Sequence, residues 1–203
     1  MKILHVVCSP RGEASESYGL SRKIVALLRD RAPAATLVNR VIGGNALPHI
    51  DANYALTQHS ATAETTQSDS VAQSDELIRE LEDSDVVVIG TPMHNLSVPS
   101  ALKAWIDHVV RARRTFNTGP GGKVGTLRDR PVFVAVASGG RFSGAHARQP
   151  DFLTPYLTTI LGMVGLKDLK FFSVQRTGLG EEAVAEAWAH ADEALQAHFS
   201  SLG

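Results

Sequence analysis

Three stretches of this chain are apolar at nearly every position: KILHVVC at residues 2–8, DVVVIG at 85–90 and PVFVAVA at 131–137. A strand with one face in water alternates apolar and polar side chains. A run without alternation has no wet face and has to be covered on both sides. The segments between these runs supply the cover. Leu20, Ile24, Leu27 and Leu28 recur at helical spacing, as do Leu102, Trp105, Ile106, Val109 and Val110, and then Leu153, Leu157, Ile160, Leu161 and Val164, a face ended by Gly165. Thr36–Val41 and Leu169–Val174 read as two further strands, and a helix is expected around Ser74–Leu81. A last helix is expected from about Glu181 towards Phe199, with Val184, Trp188 and Leu195 inward. Strand and helix alternate five times, a pattern met by an α/β fold with a parallel sheet and helices on both faces.

Two stretches exceed simple connections. Residues 42–73 hold Gly43, Gly44 and Pro48 and then a Ser/Thr/Gln-rich run, and residues 115–127 (TFNTGPGGKVGTL) are a second Gly-rich excursion. Excursions of this length inside a compact domain are commonly functional or disordered. No repeat and no linker breaks the chain, so residues 1–203 are read as one domain with ample apolar content, 43%, for a single core.

Charge and cysteine usage narrow the class. The net charge is −1 with no long block of one sign, which excludes a dedicated nucleic-acid binder. Arg111, Arg113 and Arg114 read as cations in the last turn of a helix. One cysteine, Cys8, leaves no internal disulfide framework and points to a reducing, cytoplasmic setting. MKILHVVCSPRG reads as a strand running into a turn rather than a signal peptide, and no run approaches the ~18 apolar residues of a membrane span. The eight histidines show no metal-ligand spacing.

In open α/β sheets, ligands sit outside the carboxyl ends of the strands, so the segments after the strands carry the functional information. They are SPRGEASES, TPMHNLSVPS and SGGRFSGAH. A dinucleotide fingerprint needs G-x-G-x-x-G after the first strand, where only Gly12 is present. A P-loop fails because Gly122-Lys123 is followed by Val124 and follows no strand. A receiver domain fails because Cys8-Ser9 and Thr91 stand where acidic residues are needed, and a Cys-x5-Arg phosphatase loop fails at Ala14. Cys8 then reads as a small buried residue at a strand end.

What remains is a set of hydroxyls, Ser9, Ser15 and Ser17, beside a helix start, with Ser17 placed to cap it. First-turn amides lack partners within their helix and carry partial positive charge, so the hydroxyls and amides together can hold a phosphate monoester without a lysine. In TPMHNLSVPS, Pro92 and Pro99 stiffen the loop, residues 93–96 can offer backbone groups to a flat heterocycle, and Ser100 can cap the next helix. Ser138-Gly139-Gly140 lets backbone approach closely. A phosphate at the first loop and a planar ring at the other two describe FMN.

These same residues resemble a known family. S-x5-S-x-S after the first strand, P-M-H-N-L with P-S-x-L-K-x-W-I-D, S-G-G, and L-T-P-Y-L-x-x-x-L-G are similar to the FMN-dependent NADH-azoreductases, flavodoxin-like homodimers that also reduce quinones. The likeness spans nearly the whole chain and is strongest over Pro92–Asp107. It implies a doubly wound five-stranded parallel sheet of order 2-1-3-4-5. It implies FMN held at its phosphate by Ser9, Ser15, Glu16 and Ser17, with Met93, His94, Asn95 and Leu96 along the isoalloxazine edge and Ser138, Gly139 and Gly140 closing the other side. It implies NADH as donor, quinones or azo compounds as acceptors and ping-pong kinetics. The family commonly has Tyr where this chain has His94 and an aromatic where it has Leu96. Leu96 offers no aromatic face for stacking, so quinones are expected to be better acceptors than bulky azo dyes, and an imidazole at 94 brings in a group that titrates where a phenol stays neutral. No dedicated catalytic acid or base is evident; His146 reads as a solvent-facing loop residue rather than a proton donor. The rival readings are a flavodoxin-type electron carrier without NADH turnover and a flavin-free interaction module.

Overall fold

A computed structural model of the protein describes residues 1–44, 46–59 and 69–201. In chain order the strands are β1 (Lys2–Val7), β2 (Thr36–Val41), β3 (Val86–Pro92), β4 (Phe116–Gly119), β5 (Gly122–Gly125), β6 (Val132–Ser138) and β7 (Leu169–Gln175). The helices are α1 (Glu16–Arg31), α2 (Ala52–His59), α3 (Asp69–Asp83), α4 (Ser100–Val109), α5 (Thr154–Val164) and α6 (Glu181–Ser200). Five strands form one sheet in the order β2-β1-β3-β6-β7, with every neighbouring pair parallel.

The unbroken apolar runs are covered on both sides, as their lack of alternation requires. Leu4, Val6, Val87, Ile89, Val132 and Val134 join Leu77 and Ile78 of α3, Trp105 of α4 and Leu157 of α5 in one core. The intervening residues Ile3, Val86, Val88 and Phe133 join Leu20 and Ile24 of α1 and Leu195 and Phe199 of α6 in a second. Burial of each such side chain contributes about 1.5–3 kcal/mol before entropy is charged against it.

Several local expectations change. The inward stripe of α6 is Ala183, Ala191, Leu195 and Phe199, while Val184 and Trp188 are only half-buried. Trp188 has an N–H to satisfy and donates it to Glu16 Oε2 at 2.7 Å, which holds the ring at the edge of the core. The arginines at 111, 113 and 114 lie beyond the end of α4, and Arg111 and Arg114 each pair with Asp75 at 2.7 Å instead of serving the helix terminus. The second Gly-rich excursion is an antiparallel hairpin, β4–β5. The described part of the first is packed: Ile42 and Leu47 enter the core, and the Tyr54 hydroxyl donates to the Asp107 carbonyl at 3.0 Å. The Ser/Thr/Gln-rich stretch at 60–68 lies outside the described residues.

The seat of α1 on the sheet positions the loop that precedes it. A Cβ built on Gly90 of β3 would lie 2.6 Å from Ser21 Oγ and 3.0 Å from the Ser17 carbonyl oxygen, so only glycine allows this approach. Ser17 and Ser21 are fully buried there. Next to them His5 of β1 is buried between Asn39 Oδ1 at 3.1 Å and Ser21 Oγ at 2.8 Å. Asn39 Oδ1 can only accept, which places the proton of the neutral ring on Nδ1, and the Ser21 hydroxyl, with one proton to give, lies between His5 Nε2 and the Tyr18 carbonyl oxygen at 3.0 Å.

Burial lowers the His5 pKa, against a smaller upward pull from the bond to Asn39. In the unfolded chain the imidazole takes up a proton near its ordinary value of about 6.5, whereas the folded protein resists doing so. The contribution is therefore complete above that value and is lost as pH falls from it towards the lowered folded pKa. Urea midpoints are expected to fall between pH 7.5 and 5.5, and His5→Gln is expected to flatten that slope. An unchanged slope in the variant would assign the acid sensitivity elsewhere.

Candidate functional site

Three connections meet at the carboxyl edge of the sheet. The first is anchored where the Cys8 amide donates to the Gly90 carbonyl at 2.9 Å, tying the end of β1 to β3. It turns through Gly12 at φ +53°, with Gly12 N–H to the Ser9 carbonyl at 3.1 Å and the Arg11 amide to Ser9 Oγ at 3.2 Å. Ser15, at φ −99° and ψ 143°, is the cap of α1: its Oγ accepts from the Tyr18 amide at 3.3 Å and donates to the Gly12 carbonyl at 2.8 Å. Ser17, expected to cap, instead lies in the first turn, with its hydroxyl 3.5 Å from Ser15 Oγ. The cap sits two residues earlier because the short 3-10 turn Gly12–Ala14 leads Ser15 into extended backbone. Ser9, Ser15 and Ser17 are all buried, and the amides of Glu16 and Ser17 have no acceptor within α1. The Glu16 carboxylate is occupied by Trp188, which leaves the backbone of Glu16 as its contribution to the loop.

The second connection follows β3. The Met93 amide donates to the Ala137 carbonyl at 2.8 Å, and His94 and Ser97 then exchange two backbone bonds of 3.0 Å across a two-residue turn. Its central residues, Asn95 at φ +48° and Leu96 at φ +69°, both lie in the left-handed region. That is uncommon for asparagine and costly for leucine, and backbone held this way clusters at functional sites. His94 and Asn95 are exposed, Leu96 is half-buried and Met93 is buried. Ser100 does not cap α4; the cap position is Pro99, without a side-chain bond, and Ser100 is the first helical residue.

The third connection is Ser138-Gly139-Gly140. Ser138 is buried, and Gln149 Nε2 donates to Ser138 Oγ at 3.1 Å and lies 3.3 Å from Met93 Sδ. Gln149 thus fastens the third loop to the second. It stands in a loop with no pattern of its own, and no signal in the sequence singles it out. The segment after β7 docks on the same loop: the amides of Arg176, Thr177 and Gly178 donate to the carbonyls of Gly140, Ser138 and Gly139 at 3.3, 3.1 and 3.3 Å. His146 is exposed in a hollow beside Gly139 and Gly140. Burial pushes the Cys8 thiol up, far from any thiolate role, in keeping with a packing residue.

A family model described as flavodoxin-like fold matches residues 1–199. The chain belongs to this flavodoxin-like family. Within it, a protein named FMN-dependent NADH:quinone oxidoreductase 4 from Pseudomonas fluorescens is 47% identical over 194 residues, covering 95% of this chain and 93% of its own. FMN-dependent NADH:quinone oxidoreductase 2 from Cupriavidus pinatubonensis is 41% identical over 203 residues, covering 99% and 97%. Among solved structures, an azoreductase from Bacillus anthracis superposes with a TM-score of 0.80 at 23% identity, covering 96% of this chain and 98% of that one. An FMN-dependent NADH-azoreductase from the same species, in complex with FMN, gives 0.77 at 23% identity over 100% and 99%. At that identity the superpositions speak to the fold.

The cofactor-site residues read from the sequence lie on the three connections of this flavodoxin-like chain, at the end of β6 or at the start of α1. What the sequence does not reveal is how the loops are pinned. Gly43, after β2, is one such pin: a Cβ there would lie 2.1 Å from the Ser9 carbonyl oxygen. Gly43→Ala is expected to push the first loop away and destabilise the protein by about 1–3 kcal/mol, the usual cost of overpacking. Urea unfolding with amide spectra of Ser9 to Ser17 measures this; a native midpoint with unmoved amides would show that the contact relaxes without cost.

Proposed function

We propose that the protein is an FMN-dependent NADH:quinone oxidoreductase that also cleaves aromatic azo compounds, built as one doubly wound domain with FMN across the crevice at β1 and β3. The observation that carries this reading is the donor set at the start of α1: three buried hydroxyls and the open amides of a first turn, with no cation needed to complete an anion site. The names and near full-length coverage of the relatives support it. The electron-carrier alternative gains nothing from those relatives, which are named as oxidoreductases.

The residues present fit FMN. Ser9, Ser15 and the backbone of Glu16 and Ser17 hold the phosphate, and Ser17 steadies the Ser15 hydroxyl from within the helix. Met93, His94, Asn95 and Leu96 present a rigid edge to the isoalloxazine, their conformation set by the left-handed turn. Ser138, Gly139 and Gly140 close the opposite side, held by Gln149 and by the segment after β7. Bound FMN supplies the redox chemistry, taking hydride from NADH and passing two electrons to the acceptor. Leu96, half-buried and without an aromatic face, favours compact quinones over bulky dyes. The molecule acts as a homodimer, a reading supported by the exposed apolar side chains of Val41 at the end of β2, Ile50 in the following loop and Leu56 on α2.

Purified protein is expected to carry FMN and to oxidise NADH with a quinone, giving the parallel double-reciprocal lines of a ping-pong reaction. Replacing Ser15 and Ser17 together by Ala should weaken FMN by about 1–3 kcal/mol, because hydrogen bonds to a charged group are lost and partly replaced by water. A colourless protein without NADH oxidation after FMN loading defeats the proposal, and unchanged FMN affinity in the double variant defeats the phosphate assignment. Light scattering at assay concentration should give twice the chain mass; a fully active monomer would remove the dimer.

A further inference from the structure

Beside Gly139 and Gly140 lies a hollow of about 520 Å³ lined by Arg141, Arg148, Arg176, His146 and Gln149. No carboxylate lines it among the described residues. Three of the residues lining this one hollow are arginines, in a chain of net charge −1. Backbone geometry brings them together. The amides of Arg148 and Gln149 both donate to the Arg141 carbonyl, at 2.9 and 3.2 Å, so the loop closes with Arg141 and Arg148 side by side at its neck. Arg176 approaches from the other side, its amide 3.3 Å from the Gly140 carbonyl oxygen, in a left-handed conformation at φ +68°. A bulky residue held there is strained, and such strain persists where the surroundings enforce it.

The charges differ in how they are answered. The Arg176 guanidinium pairs with Glu186 at 2.8 Å, while Arg141 and Arg148 make no side-chain hydrogen bond or ion pair among the described residues. Arg111 and Arg114, elsewhere on the molecule, are both met by Asp75. Guanidinium groups gathered without a counter-charge repel one another, and their planar fork matches a carboxylate, sulfonate or phosphate group. The hollow is continuous with the proposed flavin site, since Gln149 lines it and also holds Ser138 and Met93.

We propose that this hollow is an anion subsite of the enzyme, in which Arg141 and Arg148, with Arg176 behind them, hold the negatively charged substituent of a reactant. The anion is a carboxylate or sulfonate on the aromatic acceptor or a phosphate of the nicotinamide dinucleotide. The subsite rests on the oxidoreductase reading and adds to it a preference for anionic reactants.

The test compares the FMN-loaded wild-type chain with Arg141→Gln/Arg148→Gln and with the single charge reversal Arg148→Glu. Arg148 is exposed and makes no side-chain bond among the described residues, so its reversal leaves the fold intact, which a thermal melt verifies. KM is measured for 1,4-naphthoquinone and its 2-sulfonate, with NADH and with NADPH. An acceptor subsite predicts a tenfold or greater rise in KM for the sulfonate alone, with the neutral quinone within twofold and the salt dependence of the sulfonate reaction reduced. A dinucleotide subsite predicts the same rise in KM for NADH or NADPH with either quinone. If neither moves, the subsite does not exist. If wild-type protein fails to turn over even the neutral quinone, the oxidoreductase reading falls by itself, and calorimetric titration with anthraquinone-2-sulfonate then decides the subsite. Binding at least tenfold weaker in Arg148→Glu sustains it, and equal binding overturns it.

Discussion

The site depends on how closely α1 lies against β3. At Gly90 the separation leaves room for a hydrogen and nothing larger, with the Ser17 carbonyl oxygen and Ser21 Oγ directly above. A helix seated that low brings its polar residues into the interior, which is why Ser17, Ser21 and His5 are buried and why His5 has to be bonded at both ring nitrogens. The same seat aims the start of α1 at the carboxyl edge of the sheet. The open amides of its first turn, with their share of the helix dipole, therefore face the crevice where α/β proteins bind ligands. Moving α1 outward by the width of a methyl group would move the whole donor set.

Around that seat the loops are fastened mainly by backbone. The end of β1 is tied to β3 through Cys8 and Gly90, Gly43 packs on the Ser9 carbonyl, and the segment after β7 donates three amides to Ser138, Gly139 and Gly140. Gln149 is the main side-chain cross-tie between the second and third loops. Rings of backbone contacts make a site that tolerates different side chains at its rim. His94 and Leu96 stand on that rim, and the left-handed turn that presents them is closed by main-chain bonds between His94 and Ser97.

Charge shows the same dependence on placement. Arg111 and Arg114 look in the sequence like helix-terminal cations, yet they are spent on Asp75 and, for Arg114, Glu82. The pairs on Asp75 are half-buried, and they neutralise their patch. Arg141 and Arg148 look like ordinary loop arginines and end up together with no acid lining their hollow among the described residues. Composition and net charge cannot separate these cases, because the partner of each guanidinium is more than thirty residues away in the first and, among the described residues, absent in the second.

The sequence by itself determined the class of fold and the chemistry of the first loop. Unbroken apolar runs such as DVVVIG admit only a strand covered on both faces, and three hydroxyls after such a strand are already a donor set, so period and residue type sufficed. The tertiary structure decided which serine caps, how α6 turns and what pins the loops. Ser15 caps because a 3-10 turn delivers it to extended backbone, and Trp188 stays at the rim because its N–H finds Glu16 from the far end of the chain. It also decided the packing of Ile42, Leu47 and Tyr54, the roles of Gln149 and Gly43, and the meeting of three arginines beside Gly140. Each of these depends on a contact between distant segments. A one-dimensional pattern records which side chains are available, and only the folded chain sets the distances at which they act.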